Sequence, residues 1–204
     1  MPPVFRKLSN STLYKPAHGY SFIANSSAFV HAEDGINEKG LAVGMTYVWE
    51  KDLKPGFSSM FFVRYILETC ADISEATEAV KEIPIGGAYH LIAADEKEIV
   101  HFECSPQKLI INKGSSFAAT NHFISEAMKA YEEEENLYLS QERYTTAKTA
   151  LNQESCVDPL SHAKHILSGK HGFICQYNKD LHFDTVWSSL YDITGKKVYP
   201  AEGN

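Results

Sequence analysis

Residues 41–49, LAVGMTYVW, form an almost unbroken apolar run that includes β-branched and aromatic members. A strand with one face in water alternates apolar and polar positions, whereas a strand covered on both faces does not. The run therefore predicts a strand buried on both sides. The Asp-Gly pair at 34–35 and the Lys-Gly pair at 39–40 suit tight turns before it. Gly44, inside the run, would let another chain segment approach closely.

Residues 57–83 follow a helical pattern instead. Apolar side chains recur at spacings of three or four, as on the buried side of an amphipathic helix: Met60, Val63, Leu67 and Cys70. Ser74, followed by the acidic Glu75 and Glu78, predicts the capped start of a second short helix, because acids favour a helix N-terminus.

Four apolar stretches come next, with short polar segments between them: 88–95, 98–105, 108–114 and 115–121. This spacing predicts an antiparallel meander whose last strand ends at Asn121. The acidic run from Glu132 to Asn136 then predicts a solvated loop or helix end.

The rest of the chain returns to helices and then to strands. The segments 137–152 and 158–169 have helical patterns, and Gly169 is expected to end the second. Three strand candidates follow them: 173–178, 182–194 and 196–200.

The order of these elements predicts the fold class. Prolines at positions 2, 3 and 16 suggest that residues 1–17 are irregular. After them come one strand, two helices, four strands, two helices and three strands, an order that favours α+β over alternating βαβ units. We therefore predict a single domain over residues 1–204. Its expected fold is a four-layer αββα sandwich, with two antiparallel sheets between two helical layers.

Composition narrows the function classes. The chain has 204 residues, of which 44% are hydrophobic and 22% charged, values typical of a globular domain. A net charge of −7 without a basic stripe disfavours a nucleic-acid partner. No apolar run approaches the roughly 20 residues that cross a bilayer, and the first residues lack the apolar region of a signal peptide. We expect a cytoplasmic protein with no membrane partner.

Cysteines and histidines give no clear metal pattern. Cys70, Cys104, Cys156 and Cys175 form no CxxC pair and have no histidine at zinc-binding spacing, so buried reduced thiols are expected. His162 and His165 lie three apart on a predicted helix and could share a metal ion. No third ligand is fixed near them, and helix-surface histidines are the alternative. We predict neither a metal nor another cofactor.

Five short strings occur in one order along the chain: DGINEKGLAVG, RYILETCADISEA, TNHF, SQERY and TVWSSLYD. Together they resemble the linear-amide C–N hydrolases. These N-terminal-nucleophile enzymes include choloylglycine (bile salt) hydrolases, penicillin V acylases and related acyltransferases. The resemblance spans roughly residues 18–200. It implies an αββα sandwich, in agreement with the layers predicted above.

The resemblance also implies a site. In that family an N-terminal cysteine attacks an amide carbonyl, with its own α-amine as the base. Tyr47 would then help form the oxyanion hole or the acyl pocket, Asn121 would donate to the oxyanion, and Arg143 would organise the charges around the nucleophile. Taken alone, Tyr47 could instead be a core aromatic, Asn121 a strand-end turn residue and Arg143 a surface charge.

The family's cysteine lies on a leading hairpin for which this sequence has no counterpart, since no cysteine precedes Cys70. The resemblance implies an N-acyl amide as substrate or ligand, and two interpretations of the chain stay open. The chain is an amide hydrolase seen without its leading segment, or it binds acyl ligands or protein partners without catalysis. Without the hairpin a strand edge would be unpaired, which predicts marginal stability or assembly into a homo-oligomer.

Overall fold

The computed structural model describes residues 1–27, 30–133, 137–153, 158–178 and 183–202. Its largest element is an antiparallel sheet of seven strands, in which each strand pairs with the next one along the chain. The strands are β1 (Asn10–Tyr14), β2 (Phe22–Ser26), β3 (Asp34–Asn37), β4 (Ala42–Tyr47), β5 (Tyr89–Ala94), β6 (Ile99–Cys104) and β7 (Leu109–Gly114). The first three stretches of the predicted meander are thus confirmed as β5, β6 and β7.

Two helices cover one face of this sheet. α1 (Ser59–Thr69) and α2 (Ile73–Glu82) lie between β4 and β5 in the chain, and each buries one apolar side. The core between helices and sheet takes large side chains from both layers: Phe22, Leu41, Val43, Phe62, Ile66, Leu67, Leu91 and Phe102. None of the described helices is long and apolar enough to cross a membrane.

The opposite face meets a smaller layer. β10 (Trp187–Asp192) and β11 (Lys197–Glu202) form an antiparallel ribbon, and β8 (Tyr177–Asn178) pairs with β9 (Phe183–Asp184). α3 (Ser140–Leu151) and α4 (Pro159–Leu167) precede these strands, and α4 packs on β10. Helices, sheet, ribbon and helices follow one another as layers, which confirms the predicted α+β sandwich. Among the described residues its second sheet is only a two-stranded ribbon.

Residues 1–17 are not irregular, contrary to the prediction. A 3₁₀ turn (Pro3–Lys7) precedes β1, and β1 pairs with β2 from Asn10 opposite Ser26 to Tyr14 opposite Phe22. The rings of Tyr14 and Phe22 stack with centroids 4.7 Å apart. The prolines lie outside this strand, so they remove no donor from its ladder.

The strand predicted at residues 115–121 does not form. Its backbone groups bond to side chains rather than to a neighbouring strand. Thr46 Oγ1 donates to the Thr120 carbonyl at 2.8 Å, and the Asn121 N–H donates to Ser140 Oγ at 2.6 Å. Local bonds from side chain to backbone compete with a β-ladder in this way.

The start of α2 and the environment of Glu132 also differ from the prediction. α2 is capped by Asp72, whose side chain accepts the Glu75 N–H at 3.0 Å, so the helix begins before Ser74. Glu132 in the acidic run is buried rather than solvated, and its carboxylate pairs with Lys129 at 2.9 Å. Residues 134–136 of that run lie outside the described residues.

A close approach between layers occurs at Gly35, not at Gly44. A Cβ on Gly35 would lie 2.5 Å from the Ile23 carbonyl oxygen and 2.6 Å from Leu67 Cδ1. A Cβ on Gly44 would meet Asp34 Cβ at 3.5 Å, an ordinary contact. Gly44 instead lines the open space between the sheet and the ribbon.

We expect Gly35→Ala to lower the free energy of unfolding by about 1–3 kcal/mol, because the added methyl group would overpack against backbone. Gly44→Ala, the same change on the adjacent strand, should alter it by less than about 0.5 kcal/mol. Urea titrations followed by circular dichroism measure both values. Equal losses in the two variants would contradict the placement of the close contact at Gly35.

Candidate active site

The three residues predicted to form a site lie together. Asn121 Nδ2 donates to the Tyr47 carbonyl at 2.7 Å, and Arg143 Nη2 donates to Asn121 Oδ1 at 2.6 Å. Tyr47 ends β4, Asn121 follows β7, and Arg143 lies in the first turn of α3. Three segments that are distant in sequence therefore meet in one hydrogen-bonded chain.

This series of hydrogen bonds fixes the orientation of the Asn121 amide. A guanidinium can only donate, so the atom facing Arg143 must be the amide oxygen. The NH₂ group then faces the Tyr47 carbonyl, which engages one of its two hydrogens. No described residue accepts the other hydrogen. The arrangement thus holds an N–H donor that is available to an incoming oxygen atom.

Arg143 is held at two points. Besides Nη2, its Nε donates to the Tyr138 carbonyl at 2.9 Å. Burial lowers the pKa of Arg143 from its usual value, although a guanidinium stays protonated at neutral pH. Tyr138 and Leu139 have positive φ angles of 58° and 51°, which cost of order 1 kcal/mol each outside glycine. This strained turn immediately precedes α3 and presents the Tyr138 carbonyl to Arg143.

Ser140, the first residue of α3, connects the helix to residues 120–125, the Asn121 segment. Its buried hydroxyl accepts the Asn121 N–H at 2.6 Å and donates to Thr120 Oγ1 at 3.0 Å. His122 Nδ1 lies 2.8 Å from the same hydroxyl. Because the single hydroxyl proton goes to Thr120, His122 is the donor in that contact.

Tyr47 contributes its backbone carbonyl, not its hydroxyl, to the site. Its side chain is 37% exposed and its ring meets that of Trp49 edge-on, with centroids 6.1 Å apart. Burial of the hydroxyl, together with the nearby Glu50 carboxylate, raises the pKa of Tyr47. A ring this exposed is not a core aromatic, and its hydroxyl is protonated at neutral pH.

A buried histidine pair adjoins the Asn121 segment. His90 Nδ1 and His101 Nε2 are 2.8 Å apart, with the ring centroids 4.9 Å apart and the ring planes inclined by 25°. His90 Nε2 lies 2.9 Å from the His122 carbonyl oxygen. Burial, reinforced by His101, lowers the pKa of His90 to about 3, and burial lowers the pKa of His101 as well. Both rings are neutral at neutral pH.

One carboxylate joins the sheet to the ribbon. Asp34 accepts hydrogen bonds from Trp187 Nε1 at 2.8 Å, from the Tyr191 hydroxyl and from Asn25 Nδ2 at 2.5 Å. Asn25 also donates to Ser189 Oγ at 2.8 Å. Trp187, Ser189 and Tyr191 are alternate residues of β10 and so share one face of that strand. Burial raises the pKa of Tyr191, which keeps its hydroxyl a donor.

A cavity of 580 Å³ separates the sheet from the ribbon, α3 and α4. Most of its lining is apolar and includes Ala42, Gly44, Ile92, Ala94, Phe117, Ala147, Ile166 and Leu190. Thr46 and Ala119 line it too. Thr46 directly precedes Tyr47, and Ala119 lies two residues before Asn121. The cavity therefore reaches the sequence neighbours of Tyr47 and Asn121, whereas Tyr47, Asn121 and Arg143 are not themselves among its lining residues.

The described cysteines make no hydrogen bond to Asn121 or Tyr47. Cys70 and Cys104 are buried thiols, as predicted, and burial raises the pKa of both. Cys175 is only partly buried, and its thiol donates to the Leu167 carbonyl at 3.1 Å. Cys156 lies outside the described residues.

The two histidines considered for a metal lie on α4. His162 Nε2 is bonded to the Ala150 carbonyl at 3.0 Å, which connects α4 to α3. Within the described ranges, no group of three or more His, Cys, Asp or Glu side chains could hold a metal ion. The described residues around His162 and His165 therefore do not form a ligand set.

A comparison with protein families decides the relationship. Residues 5–204 match the family model described as acyl-coenzyme A:6-aminopenicillanic acid acyl-transferase. The chain belongs to this acyl-transferase family. The resemblance to linear-amide hydrolases is thereby confirmed. A search of curated protein sequences found no match.

Solved structures share the fold of this acyl-transferase family member. Penicillin V acylase from Agrobacterium tumefaciens has a TM-score of 0.60 and 18% identity, over 96% of this chain and 72% of that one. A variant of the conjugated bile acid hydrolase from Clostridium perfringens has a TM-score of 0.61 and 13% identity, over 99% and 82%. The Caenorhabditis elegans ortholog of N-acylethanolamine-hydrolyzing acid amidase has values of 0.59 and 15%, over 96% and 87%.

The patterns in the sequence do not predict the residues that support the site. His90 and His101 interrupt apolar strands, and a polar residue inside such a run is the signal that could have found them. Asp34 was interpreted only as part of a turn. Ser140 gave no signal of its own, because serine is common where helices begin.

We expect Asp34→Asn to lower the free energy of unfolding by about 2 kcal/mol. The change replaces one acceptor oxygen by a donor that faces other donors, and bonds to a charged group are the stronger kind. Trp187 loses its partner, so its fluorescence should shift to longer wavelength in the folded state. Asp52→Asn, at an exposed carboxylate, is the matched control. Equal effects in both variants would refute a connecting role for Asp34.

We expect acid to destabilise the protein through the histidine pair. In the unfolded chain a histidine binds a proton below about pH 6.5, whereas folded His90 stays neutral down to about pH 3. The contribution of neutral His90 to the free energy of unfolding is therefore fully present above about pH 6.5, and it is lost as the pH falls towards 3. For His90 the slope is at most about 1.4 kcal/mol per pH unit.

Urea unfolding at a series of pH values measures this slope. His18→Gln, at an exposed histidine, should leave it unchanged, whereas His90→Phe should reduce it. An undiminished slope in His90→Phe would count against the histidine pair as its source.

Proposed function

We propose that the protein takes part in cleaving or transferring the acyl group of N-acyl amides. The observation that carries this proposal is the chain from Arg143 through Asn121 to the Tyr47 carbonyl, because it orients a spare N–H donor. The acyl-transferase family supports it. So do the fold neighbours, whose names refer to penicillin V, conjugated bile acid and N-acylethanolamine.

In the proposed reaction a thiolate attacks the carbonyl carbon of the amide. A C–S bond forms and an electron pair moves onto the carbonyl oxygen, which becomes negatively charged. The spare Asn121 N–H donates to this oxygen, and one such donor contributes about 10²–10³-fold to the rate. Collapse of the adduct breaks the C–N bond. The leaving nitrogen takes the proton that the α-amine base removed from the thiol, so that a neutral amine departs. Water, or a second amine, then takes the acyl group from the thioester.

We propose that the nucleophile is none of the described cysteines. An internal cysteine has no α-amine to serve as its base, and Cys70 and Cys104 are buried with raised pKa values. The family resemblance implies an N-terminal cysteine beside Asn121. The alternative function is binding of an acyl ligand without turnover, which needs the same pocket but no nucleophile.

The acyl group is proposed to occupy the cavity between sheet and ribbon. Its 580 Å³ falls within the range of about 300–1,000 Å³ that is usual for small-molecule sites. Its mostly apolar walls suit an acyl chain, since burial of apolar surface favours binding. A cytoplasmic location and assembly into a homo-oligomer stay predictions. The ligand is proposed to be a small molecule rather than a nucleic acid or a membrane.

The proposal is tested on the native protein isolated from its source cells, whose intact mass is measured first. Penicillin V, a glycine-conjugated bile acid and an N-acylethanolamine are then assayed for release of the free amine. We expect Asn121→Ala to lower kcat by about 10²–10³-fold, because the oxyanion loses a donor. Asn121→Asp keeps the volume but cannot donate when ionised, so it should lose as much. Asn10→Ala, at an exposed asparagine, is the control.

A heavier species that begins with a cysteine and releases amine would support the proposal. Ligand binding without amine release would favour the alternative function. Unchanged turnover in Asn121→Ala would refute the role given to Asn121.

A further inference from the structure

We propose that His90 is a positioning residue, which holds the Asn121 segment through a proton-ordered chain from His101 through His90 to the His122 carbonyl. The chain rests on two contacts, 2.8 Å between the rings and 2.9 Å to the carbonyl oxygen. His90 has no exposed surface and His101 only 2%, so water does not compete for these bonds. The positioning of the segment does not depend on the proposed function. Only its effect on catalysis rests on that function, in which Asn121 donates to the oxyanion.

The hydrogen positions follow from the partners. A carbonyl oxygen can only accept, so His90 Nε2 carries a hydrogen. In a neutral imidazole the other nitrogen is then bare, so His90 Nδ1 accepts and His101 Nε2 donates. One pair of tautomers therefore satisfies both contacts.

The place at which this chain ends gives His90 its role. The His122 carbonyl belongs to the residue that follows Asn121, and the fully buried His90, which also lines the cavity, binds it. Buried side chains bind N–H groups of the same segment. Ser140 accepts from Asn121, and Glu103 accepts from Ile124 and Ser125. Two described side chains bind carbonyls there: Thr46 donates to that of Thr120, and His90 donates to that of His122.

Charged and titratable groups face the pair from several sides. His122 and Lys129, in the segment after Asn121, lower the pKa of His90 electrostatically. Glu103, on the same strand as His101, raises the pKa of His101. His101 also borders a second cavity of 390 Å³, which Lys113 and Lys148 help to line. A neutral ring that donates a single hydrogen adds no further charge next to Asn121.

The first test reads the tautomers directly. Two-bond ¹H–¹⁵N spectra of the imidazole rings in the 204-residue chain should show hydrogen on Nε2 of both His90 and His101. This measurement needs neither a variant nor activity. Hydrogen on Nδ1 of His90 would overturn the inference, because the contact with the His122 carbonyl would then lack a donor.

The second test measures how firmly the segment is held. His90→Phe keeps a ring but removes both nitrogens. We expect amide hydrogen exchange at Asn121 and His122 to accelerate by about tenfold or more. His90→Gln can still donate to the carbonyl and should recover part of the protection, whereas His18→Phe should change nothing. If His90→Phe does not fold, His101→Phe, which removes only the donor to His90 Nδ1, takes its place. Unchanged exchange in the folded variant would refute the inference.

The third test measures turnover. His90 also lines the cavity proposed for the acyl group, so kcat and its recovery in the conservative variant report positioning, and KM does not. In the native protein acting on penicillin V, His90→Phe should lower kcat by about 10–100-fold. His90→Gln should restore part of kcat. Absence of turnover in the wild type would sink the proposed function, while the tautomers and exchange rates would still decide the positioning role. Full kcat in His90→Phe, beside an active wild type, would sink the positioning role alone.

Discussion

The backbone of residues 120–125 leaves the hydrogen-bonding ladder of the sheet, and much of it is still shielded from water. Polar backbone groups in such a place must find partners, since an unpaired one costs as much as a lost hydrogen bond. Side chains from five different parts of the chain meet this demand: Thr46, His90, Glu103, Glu132 and Ser140. Because these partners hold both sides of Asn121, its amide is held in one place. The site depends on this constraint more than on any regular element.

The contact between sheet and ribbon has a different basis. The cavity between them removes much of the apolar contact that would normally join two such layers. A compact polar group takes over, with Asp34 accepting from Asn25, Trp187 and Tyr191. Hydrogen bonds to a charge are stronger than neutral ones, so a few of them can join layers that leave space for a ligand. The same open space explains why Gly44 meets no other segment at close range.

Apolar patterning predicted the layers well, because burial on one or two faces leaves its period in the sequence. It gave β4, both helices that follow and the strands from 89 to 114. It failed at residues 115–121, where an apolar stretch is buried without pairing. It also missed β1, β2 and β3, and Asp34 and Gly35 lie in β3 rather than in the predicted turn. Tyr47, Asn121 and Arg143 could be named only from a resemblance. Their supporting residues belong to no motif, since they are defined by contacts across the fold.

The electrostatics of the site account for the choice of arginine at position 143. One guanidinium donates from Nε to the Tyr138 carbonyl and from Nη2 to Asn121 Oδ1, a fork that the single ammonium of lysine cannot reproduce. A charged donor on Oδ1 draws electron density from the amide, which strengthens its N–H groups as donors. The neutral histidines nearby add orientation without a second charge. Under the proposed function, Arg143 would therefore act on an oxygen bound at Asn121 through the amide itself. The strained turn at Tyr138 and Leu139 is the structural cost of placing Arg143 there.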